Sequence, residues 1–380
     1  MTNANKLESG TVFGATYRII DFIGEGGMGL VYEVEHVLMA KRMALKILKT
    51  EHLTEAVWKR FRAEGQAIAR LDHANIVRIY DMSQSEDGVP FYTMDLITGM
   101  SLADYLQDYG RMSQSEALPV FRQVCAGLAY AHEHGIIHRD IKPGNIMLIG
   151  LSENDNKVAD KQVKIVDFGI AKLTDESGNT IQGLTKPGEV FGSPLYMSPE
   201  QCNGQKVDQR SDLYSVGITL FQVLTGKPPL LGKTAIETTI MHQTTVPPTL
   251  SEALAKAGRD ADGSASVKFS PRLEQVVATM LEKLPEDRYS SLSEVARELL
   301  QIERGDTAVP LELTRSGHKR TQIDGRSDLR DLEEPDWQEN TGQNSLFATT
   351  NIVAIAAVLE QIMRQSLPSM RKPAKLLRPT

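Results

Sequence analysis

A short polar loop near the middle of the chain holds several side chains that could move a proton or bind a metal ion. The loop runs over residues 138–145 and has apolar residues on both sides. An aspartate such as Asp140 can accept a proton from an attacking hydroxyl. A lysine such as Lys142 can neutralise an anionic group, and the amide oxygen of Asn145 can bind a hard metal ion. The loop is therefore a candidate catalytic site.

A second acidic residue, Asp167, ends the strand-like run 163–166 and is followed by Phe168 and Gly169. Its carboxylate suits Mg²⁺ coordination, and the glycine allows the chain to turn sharply afterwards. Taken alone, such a tripeptide is more typical of an ordinary turn.

A glycine-rich stretch, residues 24–29 (Gly-Glu-Gly-Gly-Met-Gly), lies between two strand-like runs and predicts a hairpin. Its backbone N–H groups could approach phosphate oxygens because few side chains intervene. Its place between strands distinguishes it from the strand-to-helix fingerprint of dinucleotide-binding folds. A plain glycine turn also fits the pattern.

Lys46 lies in the alternating run 43–48, which puts it on the same face as Ala44. A lysine in an apolar strand needs an anion nearby. Glu64 is a candidate partner because it shares an apolar face of the helix predicted over 55–71. The alternative is an edge-strand lysine with a solvated glutamate.

Strand patterns dominate the first part of the chain and helical patterns dominate from Leu102 onward, so we predict an α+β fold with two lobes that position these side chains. The first lobe would be an antiparallel sheet with one helix, and the second would be mainly helical. Strands are predicted at 17–23, 30–34, 43–48, 76–80 and 91–96, and helices at 55–71, 118–134, 212–225, 271–284 and 292–302. The polar stretches 149–161 and 251–269 are predicted to be surface loops.

Composition excludes several classes of protein. The 380 residues are 41% hydrophobic and 24% charged, which are ordinary globular values, and the net charge of −7 argues against a dedicated nucleic-acid binder. Two cysteines, Cys125 and Cys202, are too few for a disulfide framework or a zinc site. They favour a reducing compartment, and residues 1–10 do not resemble a secretory signal, so a cytoplasmic location is expected.

The C-terminal part differs in character. Residues 303–340 are rich in charge and predict a flexible linker, whereas 341–380 contain an apolar helical stripe. The stripe consists of Ile352, Ile355, Ala356, Leu359, Ile362 and Met363. Its continuously apolar part is far shorter than the ~20 residues of a membrane span. A helix that packs on its own domain or on a second copy is favoured, and docking to a partner protein or an anionic membrane surface is the alternative.

The order of the motifs narrows these interpretations. The glycine loop, strand lysine, helix glutamate, HRDxKPxN loop, DFG and Ser198-Pro199-Glu200 follow one another in an order that resembles eukaryotic-type serine/threonine protein kinases. The segments IGEGGMGLVYE, DFGIAK and YMSPEQ resemble sequences of the bacterial branch of that family. The resemblance covers residues 17–302, with lobes at 17–95 and 98–302 after an N-terminal extension, 1–16. It implies transfer of the ATP γ-phosphate to protein Ser or Thr hydroxyls, with Mg²⁺ or alternatively Mn²⁺.

The resemblance also implies where ATP would bind. The adenine would contact Val31, Ala44 and Met147, beside Met94 as gatekeeper. Lys46 would bind the phosphates, while Asn145 and Asp167 would hold the metal. The complete expected ATP-binding set is Ile23, Gly24, Glu25, Gly26, Gly27, Met28, Gly29, Leu30, Val31, Ala44, Lys46, Glu64, Met94, Asp95, Ile97 and Met147.

Other implied roles are regulatory or structural. Arg139 would pair with a phosphate in the activation segment, residues 168–200, with Thr185 favoured and Thr180 second; an unmodified loop threonine is the alternative. Ser193 stands where the family usually has threonine, and its hydroxyl could bond Asp140 and Lys142. Three further residues would support the fold: Glu200 with Arg288 as a buried ion pair, and Asp212 beneath the catalytic loop.

Two rival functions fit the sequence less well. A pseudokinase scaffold would normally have lost Lys46, Asp140 or Asp167, and all three are present. A small-molecule phosphotransferase should lack the long segment 168–200. The expected partners are protein substrates, a second copy for phosphorylation between copies, and a protein or membrane surface bound by 341–380. Nucleic acid is not expected.

Overall fold

An antiparallel sheet of six strands builds the N-terminal lobe. The structure, a computed structural model, describes residues 6–26, 29–48, 55–150, 158–168, 194–257 and 268–308, all within the unit Met1–His318. The strands are β1 (Val12–Phe13), β2 (Tyr17–Gly26), β3 (Gly29–His36), β4 (Lys41–Leu48), β5 (Ile79–Gln84) and β6 (Pro90–Met94), in the order β1-β2-β3-β4-β6-β5. The predicted antiparallel sheet is confirmed.

Strand β4 divides its side chains between the two faces of the sheet, as its alternation predicted. Ala44 and Leu48 pack into the large core, whereas Leu45 and Ile47 belong to a smaller cluster on the opposite face. That alternation places Lys46 on the Ala44 face.

Residues 6–16, within the predicted N-terminal extension 1–16, pack against this lobe. Strand β1 pairs with β2, and Leu7 packs against the smaller cluster. The backbone N–H of Leu7 also donates a hydrogen bond to the Tyr32 hydroxyl at 3.1 Å. The segment covers apolar side chains that would otherwise face water.

The strand predicted at 76–80 begins later than expected, at Ile79. Ile76 forms a parallel bridge with Ile165, and the Val77 N–H donates to the Ile165 carbonyl at 2.9 Å. The first part of this apolar run therefore binds the second lobe instead of the sheet. Helix α1 (Glu55–Ile68) precedes it and ends three residues before the predicted end.

The C-terminal lobe is mainly helical, as predicted. Its helices are α2 (Leu102–Tyr109), α3 (Gln114–Glu133), α4 (Pro199–Cys202), α5 (Gln209–Thr225), α6 (Ala235–Thr244), α7 (Leu250–Ala257), α8 (Pro271–Met280) and α9 (Leu292–Glu303). A second antiparallel sheet contains β7 (Gly99–Ser101), β8 (Ile146–Ile149) and β9 (Gln162–Ile165). Helix α5 is buried along most of its length, between an Asp208 N-cap and a left-handed Gly226 C-cap.

Helix α7 corrects the loop predicted over 251–269. Leu250 is fully buried, and Leu254 packs against the core one turn later. The Glu274 carboxylate accepts hydrogen bonds from the N–H groups of Leu250 and Ser251 at 2.8 and 2.9 Å, which supplies partners at the start of the helix.

Several predictions lie outside the described residues. They concern Gly27, Met28, Gly169, Thr180, Thr185 and Ser193, parts of both polar stretches (151–157 and 258–267), residues 1–5, and everything from 309 onward, which includes most of the predicted linker and all of 341–380. Among the residues that are described, no helix is both long enough and apolar enough to cross a bilayer.

Candidate active site

The polar loop between α3 and β8 brings three of the predicted catalytic residues together. The Lys142 ammonium donates to Asp140 Oδ2 at 2.8 Å. The Asn145 amide nitrogen donates to the Asp140 carbonyl at 2.8 Å and to Oδ2 at 3.2 Å. A 3₁₀ turn over Pro143–Asn145 directs Asn145 back toward the aspartate. The loop thus fixes one carboxylate with two neighbouring donors.

Asp212, on helix α5, supports this loop from beneath. It is fully buried and accepts the backbone N–H groups of His138 at 2.8 Å and Arg139 at 2.7 Å, together with the His132 ring at 2.8 Å. Burial alone would raise the pKa of Asp212, but the hydrogen bond and charge of His132 and the contacts with His138 lower it. Arg139 has a φ of 64°, a left-handed conformation that these bonds hold in place.

His138 is a buried, neutral part of the same support. Its Nε2 donates to the Val166 carbonyl at 3.1 Å, and its Nδ1 accepts the Asp140 N–H at 3.3 Å. Burial lowers the pKa of His138, although the nearby carboxylates of Asp212 and Asp140 oppose that shift. Its ring also packs against the buried Phe168, with centroids 4.5 Å apart.

Gln201 links the catalytic loop to the far end of the activation segment. Its side-chain nitrogen donates to the Arg139 carbonyl at 3.0 Å. Its side-chain oxygen accepts the Ser198 N–H at 3.0 Å, within the capping box of helix α4. Sequence reasoning missed Gln201 and His132. The Ser198-x-x-Gln201 spacing is typical of a capping box and could have revealed the cap, but nothing in the sequence indicates the bond to Arg139.

Asp167 lies against the sheet and meets two of its side chains. The Lys46 ammonium is 2.6 Å from Asp167 Oδ1, and the Tyr92 hydroxyl donates to the same oxygen at 3.2 Å. Burial raises the pKa of Tyr92 well above its usual value, and the charge of Asp167 raises it further, so the phenol stays protonated. The sequence predicted Lys46 and Asp167 but missed Tyr92.

The expected Lys46–Glu64 ion pair is corrected by these contacts. Lys46 pairs with Asp167, and Glu64 Oε1 lies 3.5 Å from the Arg139 guanidinium. The helical pattern correctly placed Glu64 on a partly buried face of α1, with its side chain 35% exposed. A pattern does not specify where a helix sits along a sheet, and that position decides which cation the carboxylate reaches.

Three of the residues expected around adenine, Val31, Ala44 and Met94, share one face of the six-stranded sheet, whereas Met147 lies on β8 of the second sheet. Ala44 and Met94 are directly opposed in β4 and β6, and Val31 packs at the edge of the same core. Met147 and Ile97 are partly buried, whereas Ile23 is 53% exposed and Leu30 packs with the smaller cluster. Leu30 therefore faces away from the large core.

The described part of the glycine hairpin has a steric reason for one glycine. Gly24, Glu25 and Gly26 oppose Val31, Leu30 and Gly29 in the β2–β3 ladder. A Cβ at Gly29 would lie 2.1 Å from the carbonyl oxygen of Ile47 on β4. Any side chain there would push the two strands apart, so the close approach requires glycine.

Asp95 anchors the connection between the lobes. Its N–H donates to the Arg78 carbonyl at 3.0 Å, and its carboxylate accepts from the Arg78 N–H and the Tyr80 hydroxyl at 3.2 and 2.5 Å. Lys164 lies 3.5 Å away. Burial alone would raise the pKa of Asp95, but the bonds from Tyr80 and Arg78 and the charge of Lys164 lower it. The side chain therefore fixes the connection between the two lobes.

Glu200 and Arg288, which the resemblance paired, form a bidentate ion pair inside the C-terminal lobe. The two guanidinium nitrogens lie 2.8 and 2.9 Å from the two carboxylate oxygens, and both residues are about 5% exposed or less. The Ser211 hydroxyl also donates to Glu200 at 2.5 Å. The pair joins the end of the activation segment to the segment before α9.

Comparison with known proteins identifies the family to which this fold belongs. The family described as protein kinase domain matches residues 17–303. The chain belongs to the protein kinase family. The solved kinase domain of Mycobacterium tuberculosis PknI is similar to it, with a TM-score of 0.58 and 26% identity, over 78% of this chain and 98% of that one. The predicted family and two-lobed kinase fold are therefore confirmed.

Two curated relatives of this kinase domain are bacterial. Serine/threonine-protein kinase pkn3 of Myxococcus xanthus is 32% identical over 356 residues, or 91% of this chain and 61% of the relative. Serine/threonine-protein kinase PknB of Mycolicibacterium smegmatis is 33% identical over 295 residues, or 76% of this chain and 43% of the relative. The chain thus spans only part of the length of both relatives.

Proposed function

We propose that this kinase domain transfers the γ-phosphate of ATP to serine and threonine hydroxyls of proteins. The observation that carries the proposal is the Asp140 carboxylate, held by Lys142 and Asn145 on a loop that Asp212 supports. The names of both bacterial relatives favour serine and threonine as acceptors.

Each side chain would have a distinct role. Asp140 would orient the substrate hydroxyl and accept its proton, a contribution of about 10²–10⁴ in rate. Lys142, at 2.8 Å from that carboxylate, would neutralise charge on the transferred phosphoryl group. Lys46 would bind the ATP phosphates from the sheet.

Asn145 and Asp167 fit a magnesium ion because both offer oxygen atoms. Asn145 turns its amide nitrogen toward Asp140, which directs its amide oxygen elsewhere. No group of three or more His, Cys, Asp or Glu residues in the described ranges could hold a metal. That suits Mg²⁺, which usually binds one or two protein oxygens together with phosphates and water. When bound, the ion would neutralise phosphate charge; Mn²⁺ is the alternative.

We further propose autophosphorylation between two copies, at Thr185 or Thr180 in the activation segment. Arg139 supports this, because its partly exposed side chain brings a positive charge beside the catalytic loop. Proteins would be the substrates, and 341–380 would bind a partner protein or a membrane surface. We place the protein in the cytoplasm, where its two free cysteines would stay reduced.

An autophosphorylation assay with labelled ATP and Mg²⁺ tests the proposal. Wild type should incorporate label, while Lys46→Ala and Asp140→Asn should not. Lys41→Ala, an exposed lysine on the same strand, and Asp108→Asn, an exposed aspartate, are matched controls that should remain active. Absence of label on wild type that binds ATP, with generic protein substrates also unmodified, would refute the activity.

A further inference from the structure

Tyr92 is a buried titratable residue to which the proposed function assigns no role. It lies in the middle of β6 and is 3% exposed. Its neighbours in that strand are also buried, so an apolar residue would fit the surroundings. A buried hydroxyl needs a hydrogen-bond partner, and this one donates to Asp167 Oδ1 at 3.2 Å. The proposed metal-binding carboxylate is thus its acceptor.

The strand register explains why this contact forms. Tyr92 lies directly opposite Lys46 in the antiparallel β4–β6 pair. Directly opposed residues present their side chains on the same face, a few ångströms apart. Both donors consequently reach one oxygen of Asp167, Lys46 at 2.6 Å and Tyr92 at 3.2 Å.

Asp167 needs such contacts because its backbone is strained. Its φ is 55°, in the left-handed region that residues other than glycine rarely adopt. A residue in that region keeps its conformation only when its surroundings hold it. Two donors from a rigid sheet, both on Oδ1, fix the carboxylate and direct their hydrogen bonds away from Oδ2.

We propose that Tyr92 is a positioning residue for Asp167. Its hydroxyl, together with the Lys46 ammonium, would occupy Oδ1 so that Oδ2 is presented to the metal ion. The inference rests on the proposed function, in which Asp167 binds the metal that accompanies ATP. Groups that orient a metal ligand in this way typically change metal affinity by about 10–100-fold when they are removed.

Calorimetric binding of ADP to the full chain tests the proposal without relying on catalysis. ADP affinity is measured with Mg²⁺ and with EDTA, and the ratio of the two is the gain due to the metal. Tyr92→Phe removes only the hydroxyl and should reduce this gain about tenfold, while the ADP affinity measured with EDTA should change little. Tyr32→Phe is the control, since Tyr32 is also buried in the sheet but its hydroxyl meets Leu7.

The outcomes separate this inference from the proposed function. Wild type without any gain from Mg²⁺ would count against the metal site itself. Two results would overturn the role of Tyr92 alone. Tyr92→Phe could keep the wild-type gain in ADP affinity from Mg²⁺ to within twofold, or Tyr32→Phe could lose that gain equally. If Tyr92→Phe lowers the melting temperature strongly, 3-fluorotyrosine at position 92 decides. It retains the hydroxyl and should restore the gain, and failure to do so would refute the proposal.

Discussion

Breaking the Glu200–Arg288 pair should destabilise the fold, and the free-energy cost can be estimated from the contacts of the pair. All five N–H donors of Arg288 are used: two on Glu200 and three on the backbone carbonyls of Glu282, Arg210 and Lys283, at 2.8–3.0 Å. Glu200→Gln keeps the shape of the side chain but leaves this guanidinium buried without its counter-charge. We therefore expect loss of stability and, with it, loss of activity.

The expected cost follows from the two bonds that join the pair. A hydrogen bond to a charged group contributes about 1.5–3 kcal/mol. Glutamine keeps one acceptor oxygen, so the loss of one bond gives the lower limit of the cost, and the loss of both, about 3–6 kcal/mol, gives the upper limit. Removing one partner of a buried ion pair typically costs about 3–5 kcal/mol, which lies within that range. Because a domain is stable by only about 5–15 kcal/mol, this loss is a large part of the total.

Urea unfolding followed by tryptophan fluorescence and circular dichroism measures the cost. The control is Glu35→Gln, which breaks the exposed Arg18–Glu35 pair and should change stability by about 1 kcal/mol or less. A double variant, Glu200→Gln with Arg288→Met, should be more stable than Glu200→Gln alone, because the unpaired buried charge is gone. Equal stability of Glu200→Gln and Glu35→Gln would refute the reasoning.

Two further predictions concern Gln201 and His242. Gln201→Glu keeps the oxygen that caps helix α4 but removes the donor to the Arg139 carbonyl. We therefore expect kcat to fall about 10–100-fold in steady-state kinetics, with little change in melting temperature in a thermal scan. A fall in stability without a fall in kcat would contradict this prediction. Burial, helped by the charge of Lys283, lowers the pKa of His242 from 6.5 to about 4. The unfolded state then binds more protons than the folded state between those pH values, so stability should fall by about 2 kcal/mol from pH 7 to pH 5, and urea titrations should show a smaller fall in His242→Gln.

Much of the fold could be predicted because its strands and helices have the hydrophobic periodicity that is typical of each. Period-two alternation correctly assigned the two faces of β4, and helical spacing located α3, α5 and α9 to within a few residues. Helix α7 was missed although Leu250, Ala253 and Leu254 have helical spacing, because its polar residues were taken as a sign of a loop. The late start of β5 could not be predicted, since it depends on the bridge from Ile76 to the other lobe.

The candidate site was predictable where a charge occurs in an apolar setting. Lys46 in a buried strand and Asp140 in a loop between apolar runs stand out because unpaired charges are costly there. The choice of partner was less predictable. Lys46 meets Asp167 and Glu64 meets Arg139, because the distances depend on how α1, β4 and the catalytic loop are placed in space.

The contact of Tyr92 with Asp167 could not be predicted from the sequence for a different reason. All five residues of β6 are buried, so the strand has no alternation from which the faces could be assigned. A tyrosine in such a strand has the sequence signature of a core residue. Only the pairing of Tyr92 with Lys46 shows that its hydroxyl lies on the same face as the lysine that we propose binds phosphate. Positioning residues therefore have to be found from strand register and distances, whereas the residues they position can be found from chemistry alone.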